Sequence, residues 1–276
     1  MEEGHLFATE QLLSLGVDPN IRDSFGLTPV HLASLKGHVD LARILIQDWG
    51  AFASPSDQEG STPLHKAAFR GDVTMIRILL DLGADLHAKD VHGWSALMES
   101  SYNGEWECVT ELVERERSEE QRRERREREE SEKEKREGRE GREREEGVCE
   151  EGVEKREEME NECMQMCDRC DTMSRRGWEE RDLSGNSALH LASQNGSVSC
   201  VTRFLNLGCD PNQRGSNGRT PLHFAAMYHH KEVVTVLLQG GSDVFAEDDD
   251  QKVPFDLVSV NVSGDSEVKM GGRERE

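Results

Sequence analysis

The sequence predicts an all-α repeat solenoid built of helix–turn–helix units, and three observations carry that prediction. A short box recurs along the 276 residues: TPVHLA from Thr28, TPLHKAA from Thr62, SALMESS from Ser95, SALHLAS from Ser187, TPLHFAA from Thr220 and a worn VPFDLVS from Val253. The steps are 34, 33, 92, 33 and 33 residues, so one step exceeds the period by 59. Repeats of 20–50 residues are the mark of a stacked array. A glycine stands two residues ahead of each of the first five boxes (Gly26, Gly60, Gly93, Gly185, Gly218), where a tight turn wants positive φ. Finally, the segment after each box is apolar at helical spacing, as at Val73, Ile76, Leu79 and Leu80.

Each unit follows one order of elements. Thr or Ser at the head of the box offers an oxygen to the free N–H groups of a first helical turn. Pro in the next place loses nothing, because its missing N–H had no helical partner. The short helix is expected to end at Gly37, Gly71, Gly104 or Gly196 in a left-handed cap. A second helix follows, and a turn-rich segment such as GADLHAKD (83–90) leads to the next unit.

These boxes closely resemble those of the ankyrin-repeat family, over about 190 residues from Gly4 to Val258 without the extra segment. The resemblance implies helix–turn–helix units with β-hairpin loops, curved so that hairpin tips and first helices line a concave face. It implies that the box histidines His31, His65, His190 and His223 bridge backbone groups between units; Met98 replaces the histidine in one unit. Single units cannot bury their apolar faces, so stability comes from neighbours. The opening GHLFATEQLLSLGVDPN matches the second half of a unit, which leaves Leu6, Leu12 and Leu13 uncovered on one side. A half-repeat cap and missing upstream sequence both fit it. Val253 to Val258 reads as a closing half-unit.

The expected organisation is repeats over 1–115 (units from near 23, 57 and 90), a charged insert over 116–177, repeats over 178–260 (units from near 182 and 215) and a disordered tail over 261–276. From Glu114 to Glu146, 15 of 33 residues are acidic and 13 basic. Such a block builds no core and offers no heptad seam. A solvated helix continuing the second helix of the third unit is expected, frayed into disorder at Gly138, Gly141, Gly147 and Gly152. The two full units and cap after it are near the minimum of about three that such arrays need, so one continuous stack with the insert looped out is predicted.

Composition narrows the function classes. The formal net charge is -22 and the pI about 4.9. An acidic surface repels phosphate backbones and anionic lipids, so neither nucleic acid nor a membrane is an expected partner. No apolar run approaches the ~20 residues of a membrane span. The seven cysteines, an odd number, read as reduced thiols in the cytoplasm or nucleus.

One constellation invites a chemical reading: Cys163, Cys167 and Cys170, with Cys149 upstream. The spacing resembles the iron–sulfur motif of radical enzymes that use S-adenosylmethionine, but the strands that frame such a motif are not evident around it. Zinc on the four thiolates is an alternative; free thiols are the expectation, with no metal and no cofactor. Cys108, Cys200 and Cys209 read as small core residues. Trp106, in the slot of Val39, Val73 and Val198, is expected in the core. His229 and His230 stand where a turn glycine belongs.

The resemblance carries partner binding to hairpin tips and the exposed ends of first helices. The residues singled out are Phe25, Leu27, Leu35, Phe69, Arg70, Trp94, Tyr102, Asn103, Arg219, Met227 and Tyr228, with Ser61 and Asn186 among their neighbours. The chain has 4 Trp, 2 Tyr and 8 Phe, and five of these rings fall in that set. Aromatic anchors are enriched at binding hot spots; the competing reading packs the rings between helices. The expectation is a monomeric, non-catalytic scaffold or adaptor for another protein. A substrate receptor or a regulator of transcription factors is the alternative, and a redox protein built on the cysteine cluster is the remote one.

Overall fold

The computed structural model describes residues 2–145 and 177–258. Twelve α-helices follow one another in these residues, and no strand occurs among them. They are α1 (Glu2–Ser14), α2 (Pro29–Lys36), α3 (Val39–Gln47), α4 (Pro63–Arg70), α5 (Val73–Asp81), α6 (Ala96–Asn103), α7 (Trp106–Glu145), α8 (Ala188–Asn195), α9 (Val198–Asn206), α10 (Pro221–Met227), α11 (Lys231–Gln239) and α12 (Pro254–Val258). First helices pack in the order α2, α4, α6, α8, α10, α12, and second helices in the order α3, α5, α7, α9, α11. The result is one continuous two-layer stack.

The box builds its own helix start. In the first unit the Thr28 backbone N–H donates to His31 Nδ1 (3.1 Å), while His31 Nε2 lies 3.0 Å from the Ser61 carbonyl of the next unit. His65 reaches Trp94 O (3.0 Å), His190 reaches Arg219 O (3.2 Å) and His223 reaches Lys252 O (3.1 Å) in the same way. Met98 is fully buried in the histidine slot, and Ser95 caps that helix alone. The predicted left-handed caps are present, with φ of 76° at Gly37 and Gly71. His229 takes the same role at φ 62°.

The hairpins are tight turns governed by an aspartate. Asp57 Oδ1 accepts from the N–H groups of Glu59 (2.9 Å) and Ser61 (2.8 Å), and its own N–H donates to Ser61 O (2.9 Å). Asp23, Asp90, Asp182 and Asp248 repeat the arrangement. Adjacent tips are tied by main-chain bonds: Gln58 N to Phe25 O (3.2 Å), Val91 N to Glu59 O (2.9 Å) and Asp249 N to Asn217 O (3.0 Å).

The joint across the insert obeys the same rule. Leu183 N donates to His92 O (3.0 Å), Trp94 Nε1 donates to Asp182 Oδ2 (3.2 Å), and α6 lies directly on α8. Lys89 pairs with Glu180 (3.0 Å) and Arg203 with Glu114 (3.4 Å). Trp178, 2% exposed, fills the slot four residues ahead of the turn aspartate, where Leu86 stands in the third unit. The Arg117 guanidinium lies 5.4 Å from its ring centroid.

The insert leaves the stack as α7, whose 40 residues extend about 60 Å at 1.5 Å per residue. Its root is core, with Cys108, Val109, Leu112 and Val113 buried, and it is tied to α5 by Arg77–Glu111 and Arg115–Asp81, both 2.7 Å. From Gln121 to Ser131 its side chains are exposed. The helix runs through Gly138 and Gly141, where fraying was expected. With charged neighbours of good helical propensity, two glycines at about 1 kcal/mol each do not end it. Gly147, Gly152, the four insert cysteines and the tail over 261–276 lie outside the described residues.

Two further expectations need correction. Trp106 is 50% exposed at the start of α7, because the slot it shares with Val198 is itself open (37%) and an indole overfills it. At the N-terminal end, Leu12 is exposed but Leu13 is buried and joins the core; the Leu6 side chain is outside the described set.

A candidate protein-docking groove on the concave face

The turn tips and first helices of the first three units enclose a groove of about 470 Å³. One wall is apolar, made by Phe25, Leu27 and Leu35 from the first unit and Phe69 from the second. Phe25 is 67% and Phe69 56% exposed, while Leu27 and Leu35 are half-buried. Phe25 is held out because it occupies a turn tip whose N–H groups are committed to Asp23. Phe69 projects from the last turn of α4, one residue before Arg70 and two before the Gly71 cap.

The rest of the lining is largely polar and includes Asp57, Glu59, Lys66, Asp90 and Glu99. Lys66 Nζ sits 2.8 Å from Asp57 Oδ2. Burial pushes the Asp57 carboxyl up, but hydrogen bonds from Lys66 and from the Ser61 and Glu59 backbone outweigh it and hold the group below its ordinary value. In the third unit the residue in the Lys66 slot is Glu99. Burial raises the Glu99 carboxyl, the Asn103 amide (3.1 Å) opposes that, and the neighbouring Asp90 carboxylate adds to it.

Among the other residues singled out from the sequence, Tyr102 is 37% exposed and meets Trp94 at 5.3 Å between ring centroids. Trp94 itself is half-buried, packed on the core and bonded to Asp182. The polar candidates are used within the chain. Arg70 Nη1 donates to Leu35 O (3.2 Å), Asn103 Nδ2 to Glu99 O (2.9 Å), and Arg219 Nε to Asp248 Oδ2 (3.3 Å). Arg219 also approaches the Met227 sulfur at 3.8 Å. Tyr228, 45% exposed, stacks on His230, whose Nε2 lies 2.9 Å from Gln194 O. Ser61 and Asn186 turn out buried, since Ser61 O accepts the His31 bridge and Asn186 Oδ1 accepts from Ser216 N (3.0 Å). Leu27, Leu35, Phe25, Phe69 and Glu99 thus meet in one groove, whereas Arg219, Met227 and Tyr228 lie two units beyond it.

The carboxylates Asp57, Asp90 and Glu99 were not among the surface positions read from the sequence. Their signal was visible as the change from Lys66 to Glu99 at one place in two neighbouring boxes.

Among the described residues no cluster of three His, Cys, Asp or Glu side chains could hold a metal ion. Cys108 and Cys200 are buried thiols; burial pushes Cys108 up to about 12 and raises Cys200, so neither is a nucleophile at neutral pH. No described helix is long and apolar enough to cross a membrane.

The fold is that of a helical-repeat protein, with a groove between the turn tips and first helices of its first three units. Its sequence matches the family of ankyrin repeats (3 copies) over residues 1–90, 53–124 and 162–248, and the chain belongs to that family. An ankyrin and IPT/TIG repeat-containing protein of Schizosaccharomyces pombe is 41% identical over 76 residues, 28% of this chain and 7% of that protein. Protein phosphatase 1 regulatory subunit 27 of Mus musculus is 37% identical over 75 residues, 27% of this chain and 49% of that one. The match therefore spans half or less of these curated relatives. The crystal structure of the human ASB11 ankyrin repeat domain superposes with a TM-score of 0.65 at 23% identity, covering 95% of this chain and 90% of that one. The ankyrin repeat domain of Bcl-3 gives 0.61 at 23% identity, covering 92% and 89%. Ankyrin repeats generally mediate protein–protein interaction, and the fold is typically non-catalytic.

Proposed function

We propose that this chain is a non-catalytic scaffold that binds a segment of a partner protein in the groove of its first three units. The observation that carries this reading is the pair of exposed rings, Phe25 and Phe69, facing one concavity on a rigid frame. Large exposed apolar side chains held apart from the core are what hot spots are made of. Tyr102 extends the surface. Trp94 belongs to the joint more than to the face, because its N–H and half its ring are already engaged. A regulatory role in a larger assembly fits the phosphatase regulatory subunit among the relatives. We further infer a monomer, and residence in the cytoplasm or nucleus, which the buried thiols of Cys108 and Cys200 fit.

The test is affinity capture with the full chain, wild type against Phe25→Ala/Phe69→Ala/Tyr102→Ala. The triple variant should lose the partner while its melting temperature and helical signal stay close to wild type. Retention of the partner would refute the groove as the site.

A further inference from the structure

The lining of the groove selects a chemistry for its occupant. In the second unit the turn carboxylate is neutralised within the chain, by Lys66 on Asp57 at 2.8 Å. Asp182 and Asp248 likewise receive a donor, from Trp94 Nε1 and Arg219 Nε. Asp90 differs. Its Oδ1 serves the N–H groups of His92 and Trp94 (both 2.8 Å), and the side chain placed to neutralise it is Glu99 instead of a lysine. Among the described residues no cation lies within ion-pair distance of Asp90 or Glu99. The nearby Lys66 is paired with Asp57 and acts on Glu99 only from a distance, as the smallest of the influences on that carboxyl. Two carboxylates therefore line the same groove as Phe25, Leu35 and Phe69.

Holding like charges together while stripping water from one of them is unfavourable, and an incoming cation reverses the sign. We infer that the occupant is an extended protein segment presenting an arginine or lysine to Asp90 and Glu99, with an apolar side chain beside it on Phe25 and Phe69. This inference rests on the concave-face reading above and adds to it the identity of the residue recognised. An acidic segment meets repulsion here, and a purely apolar one leaves the carboxylates uncompensated.

Glu99→Lys provides the test, and it should fold. The substitution copies into the third unit the Asp–Lys pairing that the second unit already carries. Random dodecapeptides displayed on phage are selected on the full wild-type chain and, separately, on the Glu99→Lys chain. Winning peptides are then titrated by fluorescence anisotropy against wild type, Glu99→Lys and Phe69→Ala, with melting curves for each. Wild-type winners should carry a basic residue next to an apolar one. They should bind about tenfold or more weakly to Glu99→Lys, and lose a similar factor when their arginine is replaced by uncharged citrulline. Selection on Glu99→Lys should drop the basic residue.

Peptides that need Phe69 but carry no basic residue and ignore Glu99→Lys would overturn this inference and leave the concave-face reading standing. Peptides indifferent to both substitutions, or no peptides at all, would overturn both.

Discussion

Each box histidine has its proton assigned by its neighbours. Nδ1 faces a backbone N–H and must accept; Nε2 faces a carbonyl of the next unit and must donate. Only the neutral ring with hydrogen on Nε2 does both. Burial lowers His31, His65 and His223 and takes His190 down to about 4. In the unfolded chain these rings titrate near 6.5. Their contribution is thus complete above pH 6.5 and is lost as pH falls below it, for His190 down to about 4, because the unfolded chain takes up protons that the folded one refuses. For His190 alone the loss at pH 5 is on the order of 2 kcal/mol. Urea unfolding at pH 7 and pH 5 should show it, and a stability independent of pH across that window would refute the assignment. The carboxylates Asp57 and Asp248, held below their ordinary value of 3.8, contribute their change lower down. At this scale the sequence is legible where residues recur: four histidines and the cap glycines are readable from period alone. Trp106 is not, since the openness of its slot depends on the neighbouring unit.

The decisive element is the seam between α6–α7 and α8–α9. Its existence is legible from the shortage of units after the insert. Its means are not, because Trp178 stands alone at the edge of a charged run with no repeat of itself to compare. Trp178→Ala should destabilise the chain by about 3–5 kcal/mol, as expected for emptying a fully buried aromatic site. Gly93→Ala should act on the same seam by about 1–2 kcal/mol: φ is 78° there, and an added Cβ would lie 3.0 Å from Leu183 N. Both are checked by denaturant titration. Two separate transitions in Trp178→Ala, against one in wild type, would mark the halves coming apart before either melts.

For the whole molecule, fold and architecture follow from periodicity, while the character of the binding face does not. Periodicity reports what units have in common, and recognition lives where they differ. Glu99 against Lys66 is one such difference, and the internal engagement of Arg70, Asn103 and Arg219 is another. A surface position read from spacing alone says nothing about whether its polar groups are already spoken for.

The seam also sets a timetable. Most neighbouring units meet across about one 33-residue period of chain, but His92 and Leu183 meet across 91. Closing the longer loop is entropically slower by a factor of about five on the three-halves-power law. The stack should therefore assemble as two local runs that dock last, with Trp178 seated at the end. Excising residues 118–176 to restore the common period should quicken refolding by about that factor and leave unfolding nearly unchanged, since the seam contacts, Arg117 on Trp178 included, are kept. Stopped-flow refolding of the two chains measures it; equal rates would mean that docking is not the slow step. The long charged helix would then be, in kinetic terms, a delay placed between the making of the groove and the completion of the stack that holds it.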